Sequence, residues 1–363
     1  MRVLVVNAGS SSLKVRLLEG EDVIASRDLP PPGDDPDDGT LTGELGDLGR
    51  ADAVGHRIVH GGTDFSRPVL IDDSVVRRLR ELVDLAPLHQ PKSLAGLDAV
   101  SAALPGVPAV ACFDTAFHST IPPAAATYGL PREWRDRWNL RRYGFHGLSH
   151  EYASHHVAHL IGRPVEELRT VTCHLGAGAS LAAVRGGRSV DTTMGFTPLE
   201  GLVMATRSGS VDPGLVLWLE EHAGVPAADL ARTLEKESGL LGLAGTADMR
   251  EVLTRSAAGD GEAGLALDVY LHRLRASVAA MTAAMDGLDA LVFTGGVGEH
   301  ASEVRGRAAE GLGFLGVRLD RAANDGARGD TDIGAQEGPV RVFVIEARED
   351  LEIARQTRAV LGA

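Results

Sequence analysis

Glycine-rich segments with hydroxyl, amide or cationic side chains recur three times along this chain. Residues 7–14 read NAGSSSLK, residues 174–180 read HLGAGAS and residues 293–300 read FTGGVGEH, and each follows an apolar run. Glycine permits tight turns, so consecutive backbone N–H groups in such loops can cradle phosphate oxygens, and Lys14 adds a point charge. The Walker A pattern is missing from the sequence, so the loops predict a phosphate or nucleotide site of another type.

Two arginines lie among glycines and small residues. Arg57 stands in GHRIVHGG and Arg207 in ATRSGS. A guanidinium group offers a planar fork of donors that suits a carboxylate or a phosphate. A transferred phosphoryl group carries charge on three equatorial oxygens, so its transfer depends on positioned cations. The alternative, a solvated surface role, is common for an isolated arginine and stays open here.

An acid and several histidines add further candidates. Asp114 follows an apolar strand in CFDTAFH, and His146 precedes a helix in RRYGFHG. The pattern alone is as compatible with structural roles for both as with catalysis. His155 and His159 have the i, i+4 spacing of helical metal ligands, but no third ligand is near them in the sequence. A solvated helix face is therefore the favoured interpretation of that pair.

Apolar strands and amphipathic helices alternate along the chain, which indicates α/β domains with buried sheets. Strands are predicted over residues 3–6, 13–18, 23–25, 107–112, 289–294 and 341–346, with three more within 171–192. Helices are predicted over residues 75–86 (capped by Ser74), 91–104, 148–161, 213–222, 262–285, 302–310 and 349–361. The N-terminal strand–loop–strand pattern recurs about 167 residues later, which predicts a duplicated domain. The acidic, Pro/Gly-rich residues 28–50 predict a mobile surface loop.

Charge and cysteine usage narrow the class of protein. The net charge is −14 and no Lys/Arg-rich run occurs, which argues against nucleic-acid binding. Cys112 and Cys173 lie in apolar stretches and predict buried, reduced thiols, as in a cytoplasmic protein. No apolar stretch approaches the ~18 residues of a membrane span, and the N-terminal apolar run is too short for a signal peptide. We therefore expect a cytoplasmic protein that binds neither nucleic acids nor membranes.

Nine segments together resemble the acetate kinases, in that family's order and over nearly the whole chain. They are VLVVNAGSSSLK, GHRIVHGG, APLHQP, FDTAFH, RRYGFHGLSH, MGFTPLEGL, TRSGSVDPG, FTGGVGEH and EARED. The superfamily includes actin, sugar kinases and Hsp70-type ATPases, so the resemblance implies duplicated actin-like (ribonuclease H-like) α/β domains around a nucleotide cleft. Domain I would comprise residues 1–118 plus 352–363 and carry the acyl substrate. Domain II, residues 119–351, would bind the nucleotide.

The resemblance also implies roles for individual residues. Arg57 and Arg207 would flank the acyl and phosphoryl groups, and His146 would stabilise the transition state. Asp114 matches an acid essential for turnover. We favour a role for it in orienting an arginine or the metal, because a carboxylate substrate is already ionised near pH 7 and needs no general base.

The remaining matched positions would hold metal, acyl group and nucleotide. Mg²⁺, or Mn²⁺ in its place, would lie near Asn7 and Glu349. Besides Arg57, the acetate pocket would be walled by Val59, Leu88, Phe145 and Pro198. The nucleotide would be bound by Lys14, His174, Leu175, Gly176, Ala177, Gly178, Asp248, Met249, Arg250, Gly296, Val297, Gly298, Glu299 and His300.

The implied activity is the reversible, direct in-line transfer of a phosphoryl group from ATP to acetate, giving acetyl phosphate and ADP, by a homodimeric transferase. Propionate or butyrate kinase is the nearest alternative. An alternative of a different class is an actin-like filament or chaperone ATPase that acts through protein interaction. Ala177 and His300 stand where the family usually has asparagine, and residues 28–50 are compressed. These departures keep another phosphoryl donor, such as pyrophosphate, open.

Overall fold

The chain divides into two compact units. The computed structural model describes residues 1–8, 13–30, 40–85 and 90–363. Unit 1 comprises Met1–Ser119, Phe145–Tyr152 and Arg348–Ala363, and unit 2 comprises Thr120–Gly144 and Ala153–Ala347. The boundaries predicted from the sequence differ, because they assign residues 145–152 and 348–351 to the second domain. The physical reason is packing: Leu148 lies in one apolar cluster with Ile353 of the C-terminal helix.

The regular elements of the described residues alternate between strands and helices. The strands are β1 Arg2–Ala8, β2 Leu13–Glu19, β3 Asp22–Leu29, β4 Ala53–Ile58, β5 Val69–Leu70, β6 Ala109–Phe113, β7 Arg169–Leu175, β8 Ala179–Arg185, β9 Arg188–Thr192, β10 Ala290–Thr294, β11 Thr331–Asp332 and β12 Arg341–Val344. The helices are α1 Thr40–Leu48, α2 Asp73–Glu81, α3 Gln90–Ala103, α4 Pro123–Ala126, α5 Arg132–Trp138, α6 Gly147–Ile161, α7 Pro213–Glu221, α8 Ala227–Lys236, α9 Gly239–Ala244, α10 Met249–Ala257, α11 Gly261–Ala284, α12 Gly295–His300, α13 Ser302–Glu310, α14 Arg321–Gly326 and α15 Glu349–Leu361.

The two units carry sheets of the same topology. In unit 1 the strand order is β3-β2-β1-β4-β6-β5, and in unit 2 it is β11-β12-β10-β7-β8-β9, which is the same order read from the other edge. In each sheet a three-stranded antiparallel meander is followed by two strands parallel to its first strand, with a short antiparallel strand at the far edge. The predicted duplication and the α/β fold class are therefore confirmed.

Both faces of the unit 1 sheet are buried. Side chains alternate along β1, so Leu4 and Val6 pack towards α1 and α3, whereas Val3 and Val5 pack against Ile353 of α15. In unit 2 the long helix α11 buries an apolar stripe that packs on strands β7 to β9. These covered sheets leave the loops at the strand ends available for chemistry.

Some local expectations were wrong. Residues 40–48 form α1 instead of a loop, because Leu45 and Leu48 lie one helical turn apart and are buried in the unit 1 core; residues 31–39 lie outside the described residues. Helix α2 is capped by Asp72 instead of Ser74, since the Asp72 carboxylate accepts a 2.8 Å hydrogen bond from the backbone N–H of Val75.

Six helices of unit 2, α4, α5, α8, α9, α10 and α14, were not predicted, and residues 295–300 form the short helix α12 instead of a loop. Helix α2 spans Asp73–Glu81 instead of the predicted residues 75–86, whereas the other predicted helices are observed with both ends within one residue. Cys112 and Cys173 are buried and free, as predicted, and burial raises the pKa of both thiols. In the part of the chain that the structure describes, no helix combines the length and apolar character needed to cross a bilayer.

Candidate active site

Arg57 and Asp114 form a tightly bonded pair at the centre of unit 1. Because β4 and β6 are parallel neighbours, Arg57 near the end of β4 lies close to Asp114, the residue after β6. Arg57 Nε donates to both carboxylate oxygens at 3.1–3.2 Å, and Nη2 donates to Oδ2 at 2.5 Å. The Asp114 side chain is 1 % exposed and the Arg57 side chain 18 %. Asp114 therefore anchors a guanidinium group that keeps an accessible edge, as an orienting role requires.

The charges around Arg57 keep it protonated. Burial by itself lowers the pKa of the guanidinium, but the carboxylates of Asp114 and Glu349 outweigh that effect and raise the pKa above its ordinary value. A permanent positive charge held in a fixed direction is suited to a carboxylate or phosphoryl oxygen.

Asn7 and Glu349 complete the cluster. Asn7 Oδ1 accepts a 3.1 Å hydrogen bond from Arg57 Nη1, and Asn7 Nδ2 donates to Glu349 Oε2 at 3.3 Å. Glu349 is the first residue of α15, so that helix presents its carboxylate at the ends of the parallel strands. Lys14 is exposed and is the cross-strand partner of Asn7, which puts the two on the same face of the sheet.

The side chains of Asn7 and Glu349 suit a hard cation that takes most of its ligands from phosphates and water. Mg²⁺ prefers oxygen ligands and is commonly held by one or two protein groups together with phosphates and water. The Asn7 amide nitrogen donates to the Glu349 carboxylate, and the Asn7 amide oxygen accepts from Arg57, so an amide oxygen and a carboxylate lie in the same cluster. Among the described residues no group of three or more His, Cys, Asp or Glu side chains could hold a metal ion, and this includes His155 and His159.

His146 is held next to this cluster by its backbone. The N–H of Gly147 donates a 2.9 Å hydrogen bond to the carbonyl of Asp114, so the two candidate segments touch. A Cβ atom at position 147 would lie 2.2 Å from that carbonyl oxygen, so only glycine fits there. His146 itself has a positive φ of 56°, a strained conformation for a residue with a side chain. Such strain is often found at functional sites.

The predicted acyl-pocket walls divide between the two units. Val59 and Phe145 belong to unit 1 and are 9 % and 1 % exposed. Pro198 belongs to unit 2, and Leu88 lies outside the described residues.

In unit 2 the second and third glycine-rich segments lie side by side. They follow the neighbouring parallel strands β7 and β10, in which His174 is paired with Thr294. The first of them turns tightly, with the N–H of Gly176 donating to the carbonyl of Gly178 at 3.0 Å. Gly295 has a φ of 76°, and a Cβ atom there would lie 2.9–3.1 Å from the backbone of Leu175. The predicted segments 174–178 and 296–300 are thus brought together.

A residue that the sequence analysis missed holds α12 in place. Arg305 is only 1 % exposed, and its Nη1 donates to the carbonyls of Gly298 and Glu299 at 2.9 and 2.8 Å. Its other nitrogens donate to the side chain and carbonyl of Asn324. The only sequence signal was an arginine among the apolar positions of α13. His300 and Gly296 remain exposed on α12.

Arg207 lies on a segment attached to the second glycine-rich loop. The N–H of Ala205 donates to the carbonyl of Ala177 at 3.1 Å, and Arg207 Nη1 donates to the carbonyl of Pro198 at 3.3 Å. Burial lowers the pKa of Arg207, and the charge of Glu235 opposes this effect. Hydrogen bonds therefore connect the segment that carries Arg207 to Pro198 and to the tip of the second glycine-rich loop at Ala177, all within unit 2.

Residues 248–250 form the start of α10. The Asp248 carboxylate accepts hydrogen bonds from the Arg250 N–H at 2.9 Å and from Arg250 Nη2 at 2.5 Å, and these bonds lower the pKa of Asp248 to about 2. Met249 is buried beneath the helix start. Helix capping explains these contacts, and the nucleotide-binding role of the three residues stays a prediction.

Known proteins share both the sequence and the fold. The sequence model of the Acetokinase family matches residues 43–355. The acetate kinase of Synechococcus sp. (strain JA-2-3B'a(2-13)) is 44 % identical, with 99 % of each chain covered. The solved structure of Porphyromonas gingivalis acetate kinase is 37 % identical at a TM-score of 0.91, and a propionate kinase from Francisella tularensis is 36 % identical at 0.91; both cover 99 % of each chain. This chain belongs to the acetokinase family.

Proposed function

We propose that this chain is a phosphotransferase that catalyses the reversible reaction of acetate and ATP to acetyl phosphate and ADP. The observation that carries the proposal is the Arg57 guanidinium, fixed by the buried Asp114 and charged at every physiological pH. A planar fork held in this way suits a carboxylate that becomes an acyl phosphate. The family membership and the names of the similar curated proteins support the same activity.

In the proposed mechanism the protein positions groups and stabilises charge. Arg57 binds and orients the substrate carboxylate, while Asp114 fixes Arg57 and takes no proton. A carboxylate oxygen attacks the terminal phosphorus in line while the bond from that phosphorus to the bridging oxygen of ATP breaks, so ADP leaves and no phospho-enzyme forms. Arg207 and His146 stabilise the charge on the equatorial phosphoryl oxygens. Val59 and Phe145 limit the length of the acyl chain, because a small apolar pocket rejects each added methylene.

Metal and nucleotide complete the proposal. Asn7 and Glu349 would hold Mg²⁺, with Mn²⁺ as a substitute, and the ion would neutralise charge on the phosphates. The glycine-rich segments of unit 2, residues 174–178 and 296–300, would bind ATP and ADP through backbone N–H groups. The free, buried Cys112 and Cys173 support a reducing compartment, the cytoplasm.

A hydroxamate assay for acyl phosphates tests the activity and its rivals. The purified protein is incubated with acetate, propionate or butyrate and with ATP, GTP or pyrophosphate, with Mg²⁺ and with EDTA. We expect acetate with ATP to give the highest kcat/KM, propionate to be lower by about tenfold or more, and EDTA to abolish turnover. A higher kcat/KM for propionate would make the protein a propionate kinase. ATP hydrolysis without acyl phosphate, together with polymerisation, would favour the filament alternative.

We also propose that the protein is a homodimer that uses the exposed helix α7. None of the nine residues of this fully described helix is buried. Leu215, Leu217 and Trp218 are 48 %, 55 % and 53 % exposed, which is unusual for large apolar side chains clustered on one helix. A second copy of the chain would cover the same patch on both partners across a two-fold axis.

Leu217→Asp is expected to convert the dimer to a monomer of 38.1 kDa, because a carboxylate in an apolar interface loses its hydration. Sedimentation equilibrium measures the mass. Leu70→Asp is the matched control, since Leu70 is similarly exposed, at 49 %, but lies on β5 of unit 1. A Leu217→Asp variant that stays dimeric, or a monomeric wild-type protein, would contradict the proposed interface.

A further inference from the structure

The buried side chain of Gln90 is hydrogen-bonded to both the backbone N–H and the backbone carbonyl of His60, in unit 1. Gln90, the first residue of α3, is fully buried. Its Oε1 accepts a 3.1 Å hydrogen bond from the His60 N–H, and its Nε2 donates a 3.1 Å hydrogen bond to the His60 carbonyl. The side-chain amide thus takes the place of a neighbouring strand just beyond the end of β4.

The residue that it fixes is rigid and uncharged. His60 is fully buried, and burial lowers the pKa of its imidazole to about 4. Its Nδ1 accepts a 2.8 Å hydrogen bond from the N–H of Gly62, so the proton of the neutral ring is assigned to Nε2. The position of the His60 ring therefore depends on the position of the local backbone, and Gln90 holds that backbone in place.

His60 connects Val59 and Phe145, two of the residues proposed to wall the acyl pocket. Val59 precedes it directly in the chain. The His60 ring packs edge-on against the Phe145 ring, with centroids 5.5 Å apart and an interplanar angle of 71°. A shift of His60 would therefore move Val59 through the backbone and Phe145 through ring contact.

We propose that Gln90 is a positioning residue that sets the acyl-chain selectivity of the enzyme by fixing His60 between Val59 and Phe145. The inference rests on the proposed function. Without the amide, the His60 N–H and carbonyl would lose these two hydrogen bonds in the interior, and the segment would shift from its wild-type position. A pocket that discriminates acids by one methylene depends on close fit, so a small displacement of its walls relaxes the selectivity.

A purely structural role predicts a different result. If Gln90 only stabilised unit 1, its loss would lower the thermal midpoint and change kcat/KM for every acid by the same factor. A positioning role changes the ratio of kcat/KM values between acids and raises KM for acetate, while KM for ATP stays within about twofold.

The first test variant is Gln90→Leu, which keeps the size of the side chain and removes both hydrogen bonds. We expect the propionate-to-acetate ratio of kcat/KM to rise by about tenfold, the discrimination typical of one methylene. Gln356→Leu is the matched control: Gln356 is also buried, and its amide donates to Glu151 and Glu352 on α6 and α15. It should lose stability without a change in the ratio.

The second variant, Gln90→Glu, keeps the acceptor for the His60 N–H. When its carboxyl is protonated it can also donate to the His60 carbonyl, so selectivity should return towards the wild-type value as the pH is lowered. An unchanged ratio in both variants, with an active wild-type enzyme, would overturn the positioning role and leave the proposed function intact. A wild-type protein that forms no acyl phosphate from any acid would overturn the proposed function, and this inference with it.

Discussion

Arg57→Ala is expected to lower kcat/KM for acetate by two or more decades, about 2.7 kcal/mol or more of transition-state stabilisation. The physical reason is that Arg57 is a charged donor oriented by Asp114, and in the proposed mechanism its remaining, partly exposed edge binds the substrate carboxylate. Alanine removes the positive charge and the planar fork together. The measurement is steady-state kinetics of acyl phosphate formation with acetate and ATP as varied substrates.

Stability must be separated from catalysis in this experiment. Removing Arg57 alone leaves the Asp114 carboxylate buried and unpaired by its main partner, which typically costs about 3–5 kcal/mol. Replacing both Arg57 and Asp114 with alanine relieves that cost, so the double variant should recover thermal stability but not activity. Arg169→Ala, which breaks the Arg169–Asp289 pair of unit 2, is the control and should keep kcat/KM within about twofold. Near-wild-type activity of Arg57→Ala would remove Arg57 from the active site.

Arg207→Ala is expected to lower kcat by two or more decades, again about 2.7 kcal/mol or more. Its guanidinium is tied to the carbonyl of Pro198, and its segment is attached to the glycine-rich loop at Ala177. An interaction made with the phosphoryl oxygens mainly in the transition state affects kcat more than binding. The dissociation constant for ADP, measured by calorimetry, should therefore change by less than about threefold.

The matched control for this variant is Arg255→Ala. Arg255 is a partly buried arginine of unit 2 that also donates to a backbone carbonyl, that of Ala244. Its loss should lower the thermal midpoint with little effect on kcat. If Arg207→Ala instead weakens ADP binding and leaves kcat unchanged, Arg207 belongs to the nucleotide site and the assignment to the transferred phosphoryl group is wrong.

The sequence by itself determined the class of the fold and the candidate segments. Apolar runs and apolar helical stripes located most strands and the four longest helices of the described residues, because burial of those side chains drives both patterns. The recurrence of residues 1–25 near residue 171 predicted the duplicated sheet that the structure contains. Family motifs then singled out Arg57, Asp114 and Glu349, which the structure brings together although Glu349 is 292 positions beyond Arg57.

Only the tertiary structure decided which groups face each other. Asp114 accepts hydrogen bonds from Arg57 with its side chain and from the segment after His146 with its carbonyl. These contacts depend on strands that are neighbours in the sheet although they are distant in the sequence. The buried roles of Gln90 and Arg305 could not be predicted, because the sequence does not show whether a polar side chain is buried or which groups it bonds. Helix α1 escaped prediction for a related reason. Its few apolar residues form a helix face only because a sheet is there to cover them.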